Sequence, residues 1–282
     1  RYGDVAAEAA FLAMDLDYNG YPDHARAFVE AYVRHSGDEE ALRLLDFYRC
    51  YYAYVRGKVI SFRVDDPHIG GADRDAAARM AARYFDLALS YAARPANKTL
   101  ILVAGLMGTG KSVLARALAP LVGAQIIQTD AVRKEMLRIP ASEHRYEGFG
   151  QGIYSADISR KTYGKALEIA LKKLNTDRAV IVDASYKSRE ERLRAFEAGR
   201  QAGADVYVVE CTCPEEIIEE RLHSRQSGGG DVSDGRWEIF RAQKEGFERI
   251  DEIPEGSHLA VVTSLAAEEN AFKVLKKISG LG

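Results

Sequence analysis

Gly105, Gly108 and Gly110, followed at once by Lys111 and Ser112, form the spacing G-x-x-x-x-G-K-S. Glycines at these positions let the backbone curl until several N–H groups face one anion, and a helix opening at the lysine would add its positive end. Lys111 is placed to reach β- and γ-phosphates, and the Ser112 hydroxyl to hold Mg²⁺. Met107, Thr109 and Val113 complete the stretch whose backbone is the candidate cradle. The alternative is a glycine turn with an incidental lysine. Against it stand the apolar run Thr99 to Ala104 before the loop and the helix-forming Val113 to Leu118 after it.

Three further groupings carry chemistry. Thr129-Asp130-Ala131-Val132-Arg133 follows an apolar run and puts a carboxylate one helical turn before an arginine. Asp130 suits the acceptance of a proton from a substrate hydroxyl, and Arg133 the orientation of an anionic group on that substrate. A helix N-cap Asp beside a surface Arg is the equal alternative. Ala179 to Asp183 is a hydrophobic run ending in an acid, the arrangement that fixes Mg²⁺ or its water beside Ser112; an Asp capping the next turn is the other reading. Arg221 and Arg225 share one helix face ahead of the tract Ser227 to Gly230. No acid lies three or four residues before either arginine, which favours a lid closing over transferring phosphate above a solvated helix face.

These groups need a frame. Leu100 to Ala104, Gln125 to Gln128, Ala179 to Val182, Val206 to Glu210 and Leu259 to Thr263 read as short buried strands separated by helical stretches. Such alternation predicts an α/β fold with a five-stranded parallel sheet between helical layers, its ligands at the carboxyl ends of the strands. A nucleotide base is then expected between the lid and the loop after Thr263-Ser264. Residues 1–95 follow a helical period at Ala25 to Ser36, Glu39 to Val55 and Asp73 to Ala93, and predict a smaller all-helical domain. Arg94 to Lys98 reads as a linker, which divides the chain into 1–95 and 98–282.

With 282 residues, 47% hydrophobic and 29% charged, the chain has the composition of an ordinary globular protein. Its net charge of −3 argues against an extended nucleic-acid surface while leaving room for a local phosphate pocket. The three cysteines, Cys50, Cys211 and Cys213, form neither C-x-x-C nor a zinc pattern, so buried thiols in a reducing, cytoplasmic setting are expected. No run approaches membrane-span length, and the first residues lack the basic flank of a signal peptide. Because Arg1 is not preceded by methionine, the chain reads as a piece of something longer.

From Lys98 onward, the P-loop, Asp130-x-x-Arg133, Val182-Asp183-Ala184 and Arg221-x-x-x-Arg225 resemble the P-loop kinases that include polynucleotide kinases, zeta toxins and gluconate kinases, a group often labelled AAA domain. That resemblance implies Asp130 as general base, Arg133 on substrate phosphate and Arg225 on ATP. The sequence departs from the group in lacking a dense basic groove or a gluconate motif. Between Arg138 and Lys161, the residues His144, Arg145, Tyr146 and Tyr154 are candidate substrate contacts, or equally sheet-edge packing. Tyr2 to Ala6, Ala10 to Leu16 and Asp46 to Val59 are similar to the C-terminal lobe of aminoglycoside-phosphotransferase-like kinases, whose catalytic loop and metal Asp are absent here. Arg49, Arg56 and Lys58 then read as surface or interdomain charges, and Tyr48, Tyr51, Tyr52 and Tyr54 as helix packing.

Together these readings predict phosphoryl transfer from Mg²⁺·ATP to a hydroxyl of a small or nucleotide-like acceptor. Lys111, Asp130, Arg221 and Arg225 would do the chemistry, and Ser112 and Asp183 would hold the metal. A nucleotide-sensing module and a simple ATPase are the competing classes. ATP is the default nucleotide because no guanine-reading motif occurs. Acceptor identity and oligomeric state are not encoded in any motif.

Overall fold

A computed structural model describes residues 4–140, 143, 150–228 and 237–280, with only the backbone of residues 225–228 and 238. The chain divides into two compact units, 1–94 and 95–282.

The first unit is helical: α1 Val5–Tyr18, α2 Pro22–Ser36, α3 Ala41–Ser61 and α4 Gly71–Ala92. Asp4 caps α1, accepting from Ala6 N–H at 2.9 Å, and Pro22 opens α2, where a missing N–H costs nothing. Alanines on α1 allow close helix approach, so Ala9, Ala10 and Ala13 bury against Ala25, Val29 and Leu45. Arg49 is buried and pairs with Asp46 at 3.7 Å, with its guanidinium 5.8 Å from the Tyr91 ring centre. The expected surface role therefore fails for Arg49. Arg56 and Lys58 are exposed, Arg56 lying over the Phe11 ring. Tyr48 and Tyr52 pack among the helices; Tyr51 and Tyr54 are more than half exposed yet still make ring contacts, Tyr51 with Tyr52 at 5.4 Å and Tyr54 with Phe85 of α4 at 5.7 Å. Helical spacing placed Arg49 and Tyr51 correctly on α3 but could not reveal which of its faces the other helices cover.

The second unit alternates β1 Thr99–Ala104, α5 Lys111–Val122, β2 Ala124–Gln128, α6 Thr129–Met136, α7 Ala156–Lys173, β3 Ala179–Asp183, α8 Arg189–Gln201, β4 Asp205–Thr212, α9 Glu215–Gly228, α10 Trp237–Glu245, β5 His258–Val262 and α11 Ala267–Ile278. The five strands are parallel in the order β2-β3-β1-β4-β5. Every residue of β1 and β3 is buried, as a sheet covered on both faces requires. Leu100, Leu102, Val180, Val182, Val206 and Val208 pack under α7 and α8. Their neighbours Ile101, Val103, Ile181 and Val209 point to the opposite face, where α5 and α11 pack together. At the centre, β1 has β3 on one side and β4 on the other, so the connections leave in opposite directions and open a crevice at its carboxyl end.

Arg192 on α8 is fully buried. Its guanidinium donates to Glu252 Oε2 at 3.2 Å, Tyr186 O at 2.8 Å and Arg249 O at 3.1 Å, and so fastens the segment after α10 to the sheet. Burial pushes the Glu252 carboxyl up, but Arg192 and the backbone amides of Glu252 and Asp251 outweigh it and leave the group below its ordinary range. Arg192→Ala should destabilise the unit by roughly 3–5 kcal/mol at neutral pH, because Glu252 is left buried without its cation. A depressed carboxyl contributes stability above its unfolded pKa and loses it as pH falls. The deficit measured by urea unfolding should therefore shrink below about pH 4.

Candidate active site

The loop between β1 and α5 occupies the crevice. Gly105 has φ 137° and Gly108 φ 76°, values that other residues rarely adopt. Space is equally restrictive. A Cβ on Gly105 would lie 2.4 Å from the Cys211 carbonyl oxygen, and one on Gly108 would lie 2.7 Å from Ile218 Cγ2. The glycines thus let the loop nest between the end of β4 and α9. Within it, the Thr109 hydroxyl donates to Leu106 O at 2.7 Å, and Lys111 Nζ donates to the same carbonyl at 2.8 Å. Thr263, just past β5, donates its hydroxyl to Thr109 O at 2.6 Å and ties the loop to the far side of the sheet.

Asp183 ends β3 and is buried beside the loop. Burial raises its pKa above the ordinary carboxylate range. Lys111 pulls it back, as do the side chains of Ser112 and Gln128, while Asp130 adds to the rise. Asp130 therefore lies near enough to feel Asp183, as the sequence reading of one site requires. It sits in the first turn of α6, whose N-cap is Gln128 with no side-chain cap bond, so the capping alternative does not hold for Asp130. Nor is Arg133 a surface residue: it is only 5% exposed, is ion-paired with Asp130 and lies 4.6 Å from the centre of the Tyr154 ring. Its buried Nε has no hydrogen-bond partner among the described residues.

Arg221 also reaches the loop, through protein carbonyls. It donates to Thr263 O at 2.8 Å and to Gly108 O at 3.4 Å, and approaches Cys213 Sγ at 3.5 Å. The lack of a helical acid partner thus has a local explanation, since backbone oxygens take that place. Arg225 lies on α9, but its side chain is outside the described residues, as are His144, Arg145 and Tyr146 entirely. A cavity of about 490 Å³ adjoins the loop, with Gly110, Val113, Arg221, Thr263, Leu265 and Asn270 in its wall. It coincides with the place where the sequence puts a nucleotide base. All three thiols are free, but only Cys211 is buried, with burial pushing it up to about 12; Cys50 and Cys213 are half-buried.

Sequence reasoning missed Gln243. From α10 it accepts a hydrogen bond from Met107 N–H at 2.7 Å, and its side chain is nearly covered. Nothing in its neighbourhood marks it, because the contact joins residues 136 positions apart.

A glycine-rich loop at the switch point of a five-stranded parallel sheet, with an acid closing the adjacent strand, defines a P-loop kinase-like fold. The chain belongs to the family described as AAA domain, which matches residues 100–250. It is 33% identical over 233 residues to an uncharacterized protein of Mycobacterium tuberculosis, and equally to one of Mycobacterium bovis, with 83% of this chain and 45% of theirs covered. The chain thus spans about half the length of these curated relatives. Solved structures similar to it include a gluconokinase from Sinorhizobium meliloti at 22% identity, covering 65% of this chain and 93% of that one, TM-score 0.45. Another is the Mycobacterium tuberculosis APS kinase in complex with AMPPNP and APS at 18% identity, covering 65% and 99%, TM-score 0.47.

The buried Asp183 gives a test that separates stability from binding. A raised carboxyl favours its protonated form in the fold, so stability is lost as pH rises from the ordinary Asp range through the raised value. Asp183→Asn without Mg²⁺ should melt at or above wild type at pH 7, and the difference should vanish below about pH 4. With Mg²⁺·ATP at about 100 times the wild-type Kd, wild type should gain about 2.7 kcal/mol and the variant less than about 1 kcal/mol. Calorimetric melting with and without the metal nucleotide measures both effects.

Proposed function

We propose that residues 98–282 transfer the γ-phosphoryl group of ATP to a hydroxyl of a small-molecule or nucleotide-like acceptor. The observation that carries this reading is the convergence of Lys111, Ser112 and Asp183 on the glycine loop, with Asp130 close enough to raise the Asp183 pKa. A loop and a metal carboxylate alone would suit a nucleotide sensor. A second carboxylate beside them is what an acceptor hydroxyl needs.

The donor set suits Mg²⁺. A buried carboxylate whose charge is under-compensated, facing a serine hydroxyl, offers hard oxygen ligands to a cation that keeps most of its shell for water and phosphate. Bound there, Mg²⁺ would supply charge neutralisation of the phosphates. The protein's own groups do the rest. The loop amides and Lys111 bind the phosphates, the base enters the cavity beside Thr263 and Leu265, and Arg221 sits where loop and cavity meet. Asp130 takes the proton from the acceptor hydroxyl once the acceptor's own anionic group draws Arg133 toward itself. Tyr154, beneath the Arg133 guanidinium, holds that arginine at the acceptor side. Arg145 and Arg225 are assigned to acceptor and ATP on the sequence pattern alone. Residues 1–95 supply none of the groups assigned to this transfer; their similarity to the C-terminal lobe of aminoglycoside-phosphotransferase-like kinases marks them as a helical unit separate from the P-loop chemistry.

The test is γ-labelled ATP with Mg²⁺, titrated with hydroxyl compounds that carry a phosphate or carboxylate. A kinase shows acceptor-dependent label transfer, whereas label released only to water at a rate no acceptor alters supports an ATPase and overturns the reading. With an acceptor in hand, Asp130→Ala should lower turnover by roughly 10²–10⁴ while ATP affinity stays nearly constant. Wild-type turnover in that variant would remove Asp130 from the mechanism. Lys111→Ala should weaken nucleotide binding and turnover together.

A further inference from the structure

Gln243 and Lys111 meet the same peptide group from opposite ends. Lys111 Nζ donates to the Leu106 carbonyl at 2.8 Å, and the N–H on the other side of that peptide bond, Met107 N–H, donates to Gln243 Oε1 at 2.7 Å. The bond is trans, so its carbonyl and N–H point in opposite directions, and fixing one direction fixes the other. We propose that Gln243 is a positioning residue for Lys111: by holding Met107 N–H, it aims the Leu106 carbonyl at the ammonium and so presets where Lys111 waits for the β- and γ-phosphates. The inference rests on the nucleotide-binding reading above.

Three observations make this more than an incidental contact. Gln243 is only 9% exposed, and α10 is held in place by its own packing: Trp237 and Phe240 stack at 5.0 Å, and Phe240 buries with Ile218 and Leu222 of α9. Leu106 and Met107 pack against that same cluster, so the peptide and the glutamine that grips it share one rigid surround. The chain of donors also runs in one direction, from ammonium to carbonyl and from N–H to amide oxygen, so each bond polarises the next. Without Gln243, a half-buried N–H loses its acceptor and the peptide is held at its carbonyl end alone, so it can tilt toward water. The Leu106 carbonyl is then aimed only by its Thr109 hydroxyl donor, and the position it sets for Lys111 is less tightly fixed.

The effect belongs to the phosphates that Lys111 reaches, and this separates positioning from mere support of the loop. ATP carries a γ-phosphate and ADP does not, so the readout is the ratio of Mg²⁺·ADP to Mg²⁺·ATP dissociation constants, measured by calorimetry on the whole chain. Gln243→Met keeps the length of the side chain and removes the acceptor. It should lower the ATP preference by about tenfold, with ADP, which still offers Lys111 its β-phosphate, losing less affinity than ATP. Gln243→Glu keeps an oxygen for Met107 N–H and should restore the preference. If Gln243→Met discriminates as wild type does, or weakens ADP and ATP equally, or if Gln243→Glu matches Gln243→Met, the positioning role is overturned. The underlying reading fails separately: wild type that binds no Mg²⁺·ATP, or Lys111→Ala with undiminished ATP preference, would refute the P-loop assignment itself.

Discussion

The contact on which the rest of the second unit depends is the approach of Gly105 to the Cys211 carbonyl, too close to admit any side chain. It forces the chain leaving β1 to turn in under the end of β4, and everything at the site is placed relative to that turn. Because β3 lies on the other flank of β1, the same turn brings the loop against Asp183. Because β5 pairs with β4, Thr263 reaches the Thr109 carbonyl. One glycine with φ 137° therefore gathers groups from three strand ends, the Cys211 carbonyl of β4 and the side chains of Asp183 and Thr263. No side chain placed there could be accommodated by a small shift, since the obstacle is backbone.

Electrostatics follow from this crowding. Asp183, Asp130, Lys111, Arg133 and Arg221 are drawn together at the carboxyl edge of the sheet, and buried charges persist only when they are compensated. Each cation has a protein oxygen: Lys111 the Leu106 carbonyl, Arg221 the Thr263 carbonyl, Arg133 the Asp130 carboxylate. Burial raises the Asp183 pKa despite the nearby Lys111, Ser112 and Gln128, and Asp130 adds to the rise. Under the proposed reading a cation completes this group, and a polyphosphate competes with the backbone carbonyls for the lysine and arginine.

Legibility in the sequence tracked the range of the interaction. The glycine loop, the strand-ending acids and the five strands were readable because each is a local pattern: a spacing, an apolar run, a punctuating glycine. Strand edges moved by a residue or two, as at β5, which ends at Val262 so that Thr263 lies beyond it. What could not be read is what a residue meets across the fold. Arg192 looks like any helical arginine until Glu252 and two carbonyls surround it. Arg49 looks like surface charge until Asp46 and Tyr91 enclose it. Arg221 seemed to want an anion because its partners are backbone oxygens, which leave no trace in residue type.

The Asp130–Arg133 pair shows how both limits bear on acceptor chemistry. The spacing of three residues on α6 made the pair readable, but only its burial shows that Asp130 is already committed to a cation. Under the proposed reading, an acceptor carrying only a hydroxyl would have to compete for the half-buried Asp130 carboxylate with the buried Arg133, which would be left without its anion. An acceptor that also carries an anion supplies Arg133 with a replacement partner, and the Asp130 oxygen is released at little net loss of electrostatic energy. The buried Arg133 Nε, which has no partner among the described residues, offers that anion a further donor. Under that reading the arrangement disfavours neutral polyols by charge before pocket shape is considered, and phosphorylated or carboxylated alcohols are the class it would admit.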